Sequence, residues 1–186
     1  MLFRSGADVS TSGTQTYSGA VTLSGGDRTF TGSTITNSST ITGATYSLTE
    51  TGNAVINGAI SGVNILSISG TSTIGADVST SGTQTYSGAV TVTGTGTRTL
   101  TGTTVTNSST LNGGAIALTI TGNASIGGAI TNVTNLSISG TSTIGANVTT
   151  TGTQTYSGAV TLSGGDRTLT GSTITNSSTI AGATYS

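Results

Sequence analysis

The chain repeats itself with a period of about seventy residues. Two complete units, residues 6–74 and 75–144, share the segments GTQTYSGAVT, TNSST, GNA and SISGTSTIGA in the same order, and a third unit at 145–186 matches the first part of this order. Self-similarity at a long fixed period is the signature of solenoids and other repeat architectures. We therefore predict a single repetitive domain over residues 1–186, as a fragment or a short product of a longer array.

One extra residue in the second unit marks a place where the chain tolerates insertion. It falls in Thr93–Thr97, where the other units have Ser-Gly-Gly-Asp at residues 24–27 and 163–166. Insertions are accepted in surface turns more readily than in packed strands. We predict a turn at these positions and a fixed register elsewhere.

Short alternating runs within each unit favour β-strands. Thr29-Phe30-Thr31, Ser67-Ile68-Ser69 and Thr119-Ile120-Thr121 each put an apolar residue on one face of a strand and two hydroxyls on the other. The chain has 46 Thr, 28 Ser and 30 Gly but no apolar stripe of helical period. We predict an all-β fold with essentially no α-helix.

Three-residue strands need stacked neighbours, because an isolated coil buries too little surface to be stable. Glycines 13, 32, 52 and 70 are spaced by 19, 20 and 18 residues, but the next equivalent glycine, Gly82, follows after 12. Each unit is then either three coils of about 23 residues or four of about 17. We predict a parallel β-helix of about 8 to 11 coils, a rod of about 40 to 50 Å, right-handed by the crossover rule.

The composition lacks the atoms of most catalytic and metal sites. There is no His, Cys, Lys or Trp, so imidazole and thiolate chemistry is excluded. The few charged residues are scattered, and Glu50 is replaced by Ile120 in the second unit. We expect Asp27-Arg28 and Asp166-Arg167 to be solvated pairs at turns. We expect no enzyme activity, cofactor or metal. The other charged residues are Arg4, Asp8, Asp77 and Arg98.

Candidate binding surfaces are equally sparse. Tyr17, Tyr86 and Tyr156 are equivalent, and we expect half-buried corner residues rather than an exposed aromatic ladder for glycans. Thr-Gln-Thr recurs once per unit, so we expect no array of identical exposed residues at coil spacing and no ice-binding face. A net charge of −1 and the absence of a long apolar run predict no nucleic-acid binding and no membrane insertion.

The ordered segments GTQTYSGAVTL, TNSST, GNA and LSISGTSTIGA resemble the repeats of large bacterial surface exoproteins, the filamentous haemagglutinin-like and related β-strand-repeat adhesins. The resemblance implies a right-handed parallel β-helix serving as an extracellular or cell-surface shaft, with a role in adhesion or biofilm matrix and no catalytic residues. Because we expect uncapped ends, we predict self-association into fibres or continuation of a longer array. The alternative is a binding module that presents its surface to a glycan, a host receptor or ice.

Overall fold

A computed structural model describes residues 3–182, with side chains described from residue 6 onward. This part of the chain contains 23 β-strands and no helix. All the strand pairs are parallel, and they stack as a β-solenoid of about nine turns. The strands are β1 (Phe3–Ser5), β2 (Val9–Ser10), β3 (Thr14–Tyr17), β4 (Val21–Leu23), β5 (Arg28–Asn37), β6 (Ile41–Thr42), β7 (Leu48–Ile56), β8 (Ile60–Val63), β9 (Leu66–Ile68), β10 (Ser72–Ile74), β11 (Val78–Thr80), β12 (Gln84–Tyr86), β13 (Val90–Val92), β14 (Thr97–Asn107), β15 (Leu111–Ile126), β16 (Ile130–Ile138), β17 (Ser142–Ile144), β18 (Val148–Thr150), β19 (Thr153–Tyr156), β20 (Val160–Leu162), β21 (Leu169–Thr170), β22 (Thr173–Asn176) and β23 (Ile180–Gly182).

The strands form three columns parallel to the rod axis, because the longer strands bend round corners and contribute a segment to more than one column. Column 1 contains β1, β4, β6, β8, β11, residues 97–101, 117–121 and 136–138, β19 and β22. Column 2 contains β2, residues 28–31 and 48–51, β9, β12, residues 104–107 and 123–126, β17, β20 and β23. Column 3 contains β3, residues 34–37 and 53–56, β10, β13, residues 111–112 and 130–133, β18 and β21.

These pairings confirm the prediction of an all-β parallel solenoid, while the right-handed sense stays a prediction. Paired residues are between 17 and 22 positions apart, which is the length of one coil. Inward residues from the three columns meet in one core of Val, Ile, Leu, Tyr and Phe. Full burial of each aliphatic side chain contributes roughly 1.5 to 3 kcal/mol, which offsets the ordering of a Gly-rich chain.

The sequence unit does not contain a whole number of coils. The first unit runs from β2 to β10, nine strands of which β5 and β7 each supply two segments, so it has eleven segments for three columns. A unit is therefore three coils and two thirds, and the expectation of three or four was wrong. Equivalent residues consequently change column: Tyr17 lies in column 3, Tyr86 in column 2 and Tyr156 in column 1.

Glycine stacks at the corners show where the sequence-based coil count failed. Gly70 lies over Gly52, its N–H donating to the Gly52 carbonyl at 2.9 Å, and a Cβ on Gly88 would overlap the Gly70 carbonyl. The fourth step of the stack is thus Gly88, 18 residues on, and not Gly82. Gly82 instead begins the equivalent stack at another corner, below Gly102, Gly122, Gly140 and Gly158. Gly52 itself has a φ of +135°, which a residue with a Cβ rarely adopts.

Candidate functional site

A buried Gln–Tyr pair occurs once in each unit and links one coil to the next. Gln84 is fully buried, and its Nε2 donates to the carbonyls of Val78 at 3.1 Å and Thr101 at 2.7 Å. The Tyr86 hydroxyl donates to Gln84 Oε1 at 2.9 Å. The Gln154–Tyr156 pair repeats these contacts in column 1, as does Gln15–Tyr17 at the N-terminal end. The motif GTQTY therefore encodes an internal clamp.

The clamps remove the tyrosines from the surface. Tyr17 is half-buried, as expected, but Tyr86 and Tyr156 are fully buried, so the expectation of a half-buried corner residue was wrong for these two. Burial raises the pKa of Tyr156 to about 12, and burial followed by the nearby Glu50 carboxyl raises that of Tyr17 to about 12. These side chains form no exposed aromatic ladder for stacking on a sugar.

Glu50 is a carboxyl placed inside the apolar core. It lies in column 2 between Phe30 and Ile68, with no solvent exposure, and Asn37 Nδ2 donates to its Oε1 at 2.8 Å. Burial raises the pKa of Glu50 from 4.5 to about 7, against the opposing effect of the Asn37 hydrogen bond. Glu50 Oε2 and Asn37 Oδ1 have no hydrogen-bond partner within the described chain. In the sequence Glu50 is one of several scattered charged residues, and no local pattern around it indicates burial.

The charged residues at the corners bind backbone. Arg28 Nη1 donates to the Asp27 carbonyl at 2.6 Å, and Arg167 Nε donates to that of Ser163 at 2.8 Å, so each arginine folds over its own Ser-Gly-Gly-Asp turn. The predicted turn is confirmed for residues 93–96, whereas Thr97 already begins β14. Arg98 closes the turn by donating to Thr93 O at 3.1 Å. No group of three Asp, Glu, His or Cys that could hold a metal ion occurs among the described residues.

Asp77 joins consecutive coils through its Oδ1. This atom accepts from the Thr99 N–H at 3.0 Å and lies 3.1 Å from Arg98 Nη1. We expect Asp77→Ala to lower the free energy of unfolding by about 1 to 2 kcal/mol, mostly through the lost backbone hydrogen bond, since an exposed ion pair contributes little. Asp77→Asn is the matched control and should be nearly neutral, because Asn147 makes the equivalent bond to Thr168 N at 3.0 Å. Urea denaturation followed by circular dichroism measures both, and equal losses in the two variants would contradict this role.

Outward Thr and Ser residues form two regular hydroxyl arrays. Each array has five ranks on five successive coils, and each rank has two hydroxyl residues separated by one inward residue. The lower array, on column 2, consists of Thr29/Thr31, Thr49/Thr51, Ser67/Ser69, Thr85/Ser87 and Thr106/Ser108. The upper array, on column 1, consists of Thr99/Thr101, Thr119/Thr121, Ser137/Ser139, Thr155/Ser157 and Thr175/Ser177.

All twenty of these residues are exposed or half-exposed. No array of identical exposed residues was expected at coil spacing, and these ranks mix Thr and Ser. They share the hydroxyl group rather than the residue type, which the expectation did not consider. The two arrays are the same stretch of the unit carried to a different column, which explains why inspection of the linear sequence missed them. Once the coil length of 17 to 22 residues is known, the ranks follow directly from the sequence.

Comparison with protein-family models, with curated proteins and with solved structures gives no match to this chain. Within residues 3–182 there is also no helix that is long and apolar enough to span a membrane.

Proposed function

We propose that this chain is a non-enzymatic structural protein, a segment of an extracellular fibre or adhesin shaft that joins end to end with further coils. The fold supports a shaft, since about nine turns at roughly 4.8 Å per coil give a rod of about 43 Å with a single continuous core. The observation that carries the proposal is the exposed core at the C-terminal coil.

Inward aliphatic residues lose their cover in this last coil. Ile174 is 41% and Ile180 57% exposed, whereas the equivalent Ile35 and Ile41 of the first unit are fully buried. Within residues 3–182, the strands β21, β22 and β23 pair only with the preceding coil, and the open edge of such strands is a template for another strand. Such a face is covered either by further chain or by a second copy.

The role of the shaft in adhesion or in a biofilm matrix, and its location outside the cell, rest on the resemblance to bacterial exoprotein repeats. The clamps, core and corner bonds support a stiff rod, and the surface away from the ends is hydroxyl-rich and nearly uncharged. These properties suit a spacer that holds another segment away from the cell surface.

Electron microscopy across a concentration series tests end-to-end joining. We expect rods that lengthen with concentration, because each junction buries the exposed apolar residues of an end. Ile174→Lys combined with Ile180→Lys should leave single rods, since two charges would be buried at the junction.

Ile65→Lys is the control, because Ile65 is 42% exposed on the side of the rod rather than at its end. This variant should lengthen like the unmodified chain. Single rods of the unmodified chain at every concentration would overturn end-to-end assembly, and round particles would overturn the shaft itself.

A further inference from the structure

The hydroxyl arrays are periodic in two directions. Ranks follow one another at the coil spacing of about 4.8 Å, and the two residues of a rank are about 6.7 Å apart, twice the rise of a strand residue. The first residue of each rank in the lower array is followed on the next three coils of column 2 by Ser125, Thr143 and Thr161. Outward hydroxyl residues therefore occupy this position on eight successive coils. A surface with two fixed periods can match the lattice of a crystalline partner. Binding a disordered or flexible partner would not require such regular spacing.

The arrays are also rigid before anything binds. Each rank is held by the backbone ladder, for instance through Ser87 N donating to the Ile68 carbonyl at 3.0 Å. Threonine is branched at Cβ and has few χ1 rotamers, so its hydroxyl and methyl positions are largely fixed by the backbone. Little ordering entropy is lost when such a surface binds.

Charge and aromatic content restrict the partner to a neutral one that is not held by stacking. None of the twenty array positions carries a charge. The charged neighbours of the first ranks are tied to the backbone. Arg28 and Arg98 are folded over their turns, and the carboxylates of Asp8 and Asp77 accept from the N–H groups of the first residue in each array. The three equivalent tyrosines point into the clamps, so the aromatic platform that commonly binds a sugar is missing from both arrays.

We propose that the two hydroxyl arrays bind ice. A hydroxyl both donates and accepts, and water molecules bridging neighbouring ranks would take up the period of the protein. Four ranks carry threonine at both positions, and their methyl groups add apolar contact between those waters: Thr29/Thr31, Thr49/Thr51, Thr99/Thr101 and Thr119/Thr121. The ten hydroxyl residues of one array make weak contacts together on one rigid surface, which gives strong total adhesion. The two arrays lie on different columns, so each would bind an ice surface of its own.

The test measures thermal hysteresis, ice-crystal shape and inhibition of ice recrystallisation with the full chain. We expect faceted crystals and a measurable hysteresis gap. Thr49→Lys combined with Thr119→Lys puts a long charged side chain into each array and should abolish most of both effects.

Thr73→Lys is the matched control, since Thr73 is an equally half-exposed residue at the centre of a strand in column 3. The residues paired with Thr73 on the adjacent coils, Val55 and Thr91, belong to neither hydroxyl array. This variant should keep the activity of the unmodified chain, and circular dichroism checks that all variants are folded.

Three results would overturn the proposal: round ice crystals without hysteresis for the unmodified chain, full activity in the double variant, or equal loss in the control. Concentration-dependent side-by-side association that Thr49→Lys and Thr119→Lys abolish, without any effect on ice, would assign the arrays to contacts between copies instead. The test does not depend on end-to-end joining, so it separates from the proposed shaft function.

Discussion

Glu50→Ile is expected to raise the free energy of unfolding at pH 8 by about 3 kcal/mol, because it removes a carboxyl that must ionise inside the core. The chain already contains this solution, since Ile120 occupies the equivalent position in the second unit and is buried. Asn37 then loses its partner, but the equivalent Asn107 shows the alternative, with Nδ2 donating to the Ser109 carbonyl. Few single substitutions stabilise a protein to this extent.

The gain should depend on pH in a defined direction. Burial raises the pKa of Glu50 from 4.5 to about 7 in the folded state, so its contribution to stability is intact below pH 4.5 and is lost as the pH rises to about 7. Protonation gives Glu50 Oε2 a hydrogen to donate. The Asn37 amide, whose Nδ2 already donates to Oε1, has in its Oδ1 an acceptor without a partner in the described part of the chain. The stabilisation by Glu50→Ile should therefore be much smaller at pH 4 than at pH 8.

Urea denaturation at pH 4, 6 and 8 measures this difference. Glu50→Gln is the control, because it mimics the protonated acid and should remove the pH dependence while keeping the polar contacts with Asn37. A stability difference between the unmodified chain and Glu50→Gln that stays constant from pH 4 to pH 8 would show that the carboxyl does not titrate inside the core.

Gln84→Leu should be the most damaging of the substitutions considered, with a loss of about 2 to 6 kcal/mol. Leucine keeps the apolar packing, but the buried Tyr86 hydroxyl loses its acceptor and the buried Val78 carbonyl loses a donor. The part-buried Thr101 carbonyl keeps the Thr80 hydroxyl as a donor at 3.3 Å. Each stranded buried polar group costs about 1 to 3 kcal/mol. The shift in the urea midpoint gives the value.

Gln15→Leu tests whether burial causes this loss. The same contacts exist there, but Tyr17 is half-buried at the N-terminal end, so water can replace part of what is removed. We expect roughly half of the loss seen for Gln84→Leu. Equal losses at both positions would mean that the clamp acts through packing and not through its hydrogen bonds.

The fold class could be predicted from sequence because alternation and repetition are local properties. Triplets such as Ser67-Ile68-Ser69 give the inward and outward faces, and in the structure Ile68 is buried. The indel at Thr93–Thr97 correctly marked a turn for the same reason.

Coil register was not predictable in this way, because it depends on which residues stack and not on which residues recur. Gly82 is the sequence equivalent of Gly13, yet the residue that continues the Gly13 stack is Gly88. The two hydroxyl arrays, the clamps and the burial of Glu50 all depend on that register. They consequently became visible only from the pairing of strands.

Because one unit has eleven segments on three columns, the number of units sets how the far end of the rod is rotated about its axis. Gain or loss of one unit, as recombination between near-identical copies would produce, changes the rod length by about 18 Å. It also turns everything beyond that point by a third of a revolution about the axis, and only a change of three units restores the original facing. The core accepts every such change, because all three columns already hold a copy of the Gln–Tyr clamp. A family of shafts built from this unit would thus point whatever they carry in one of three directions, selected by counting.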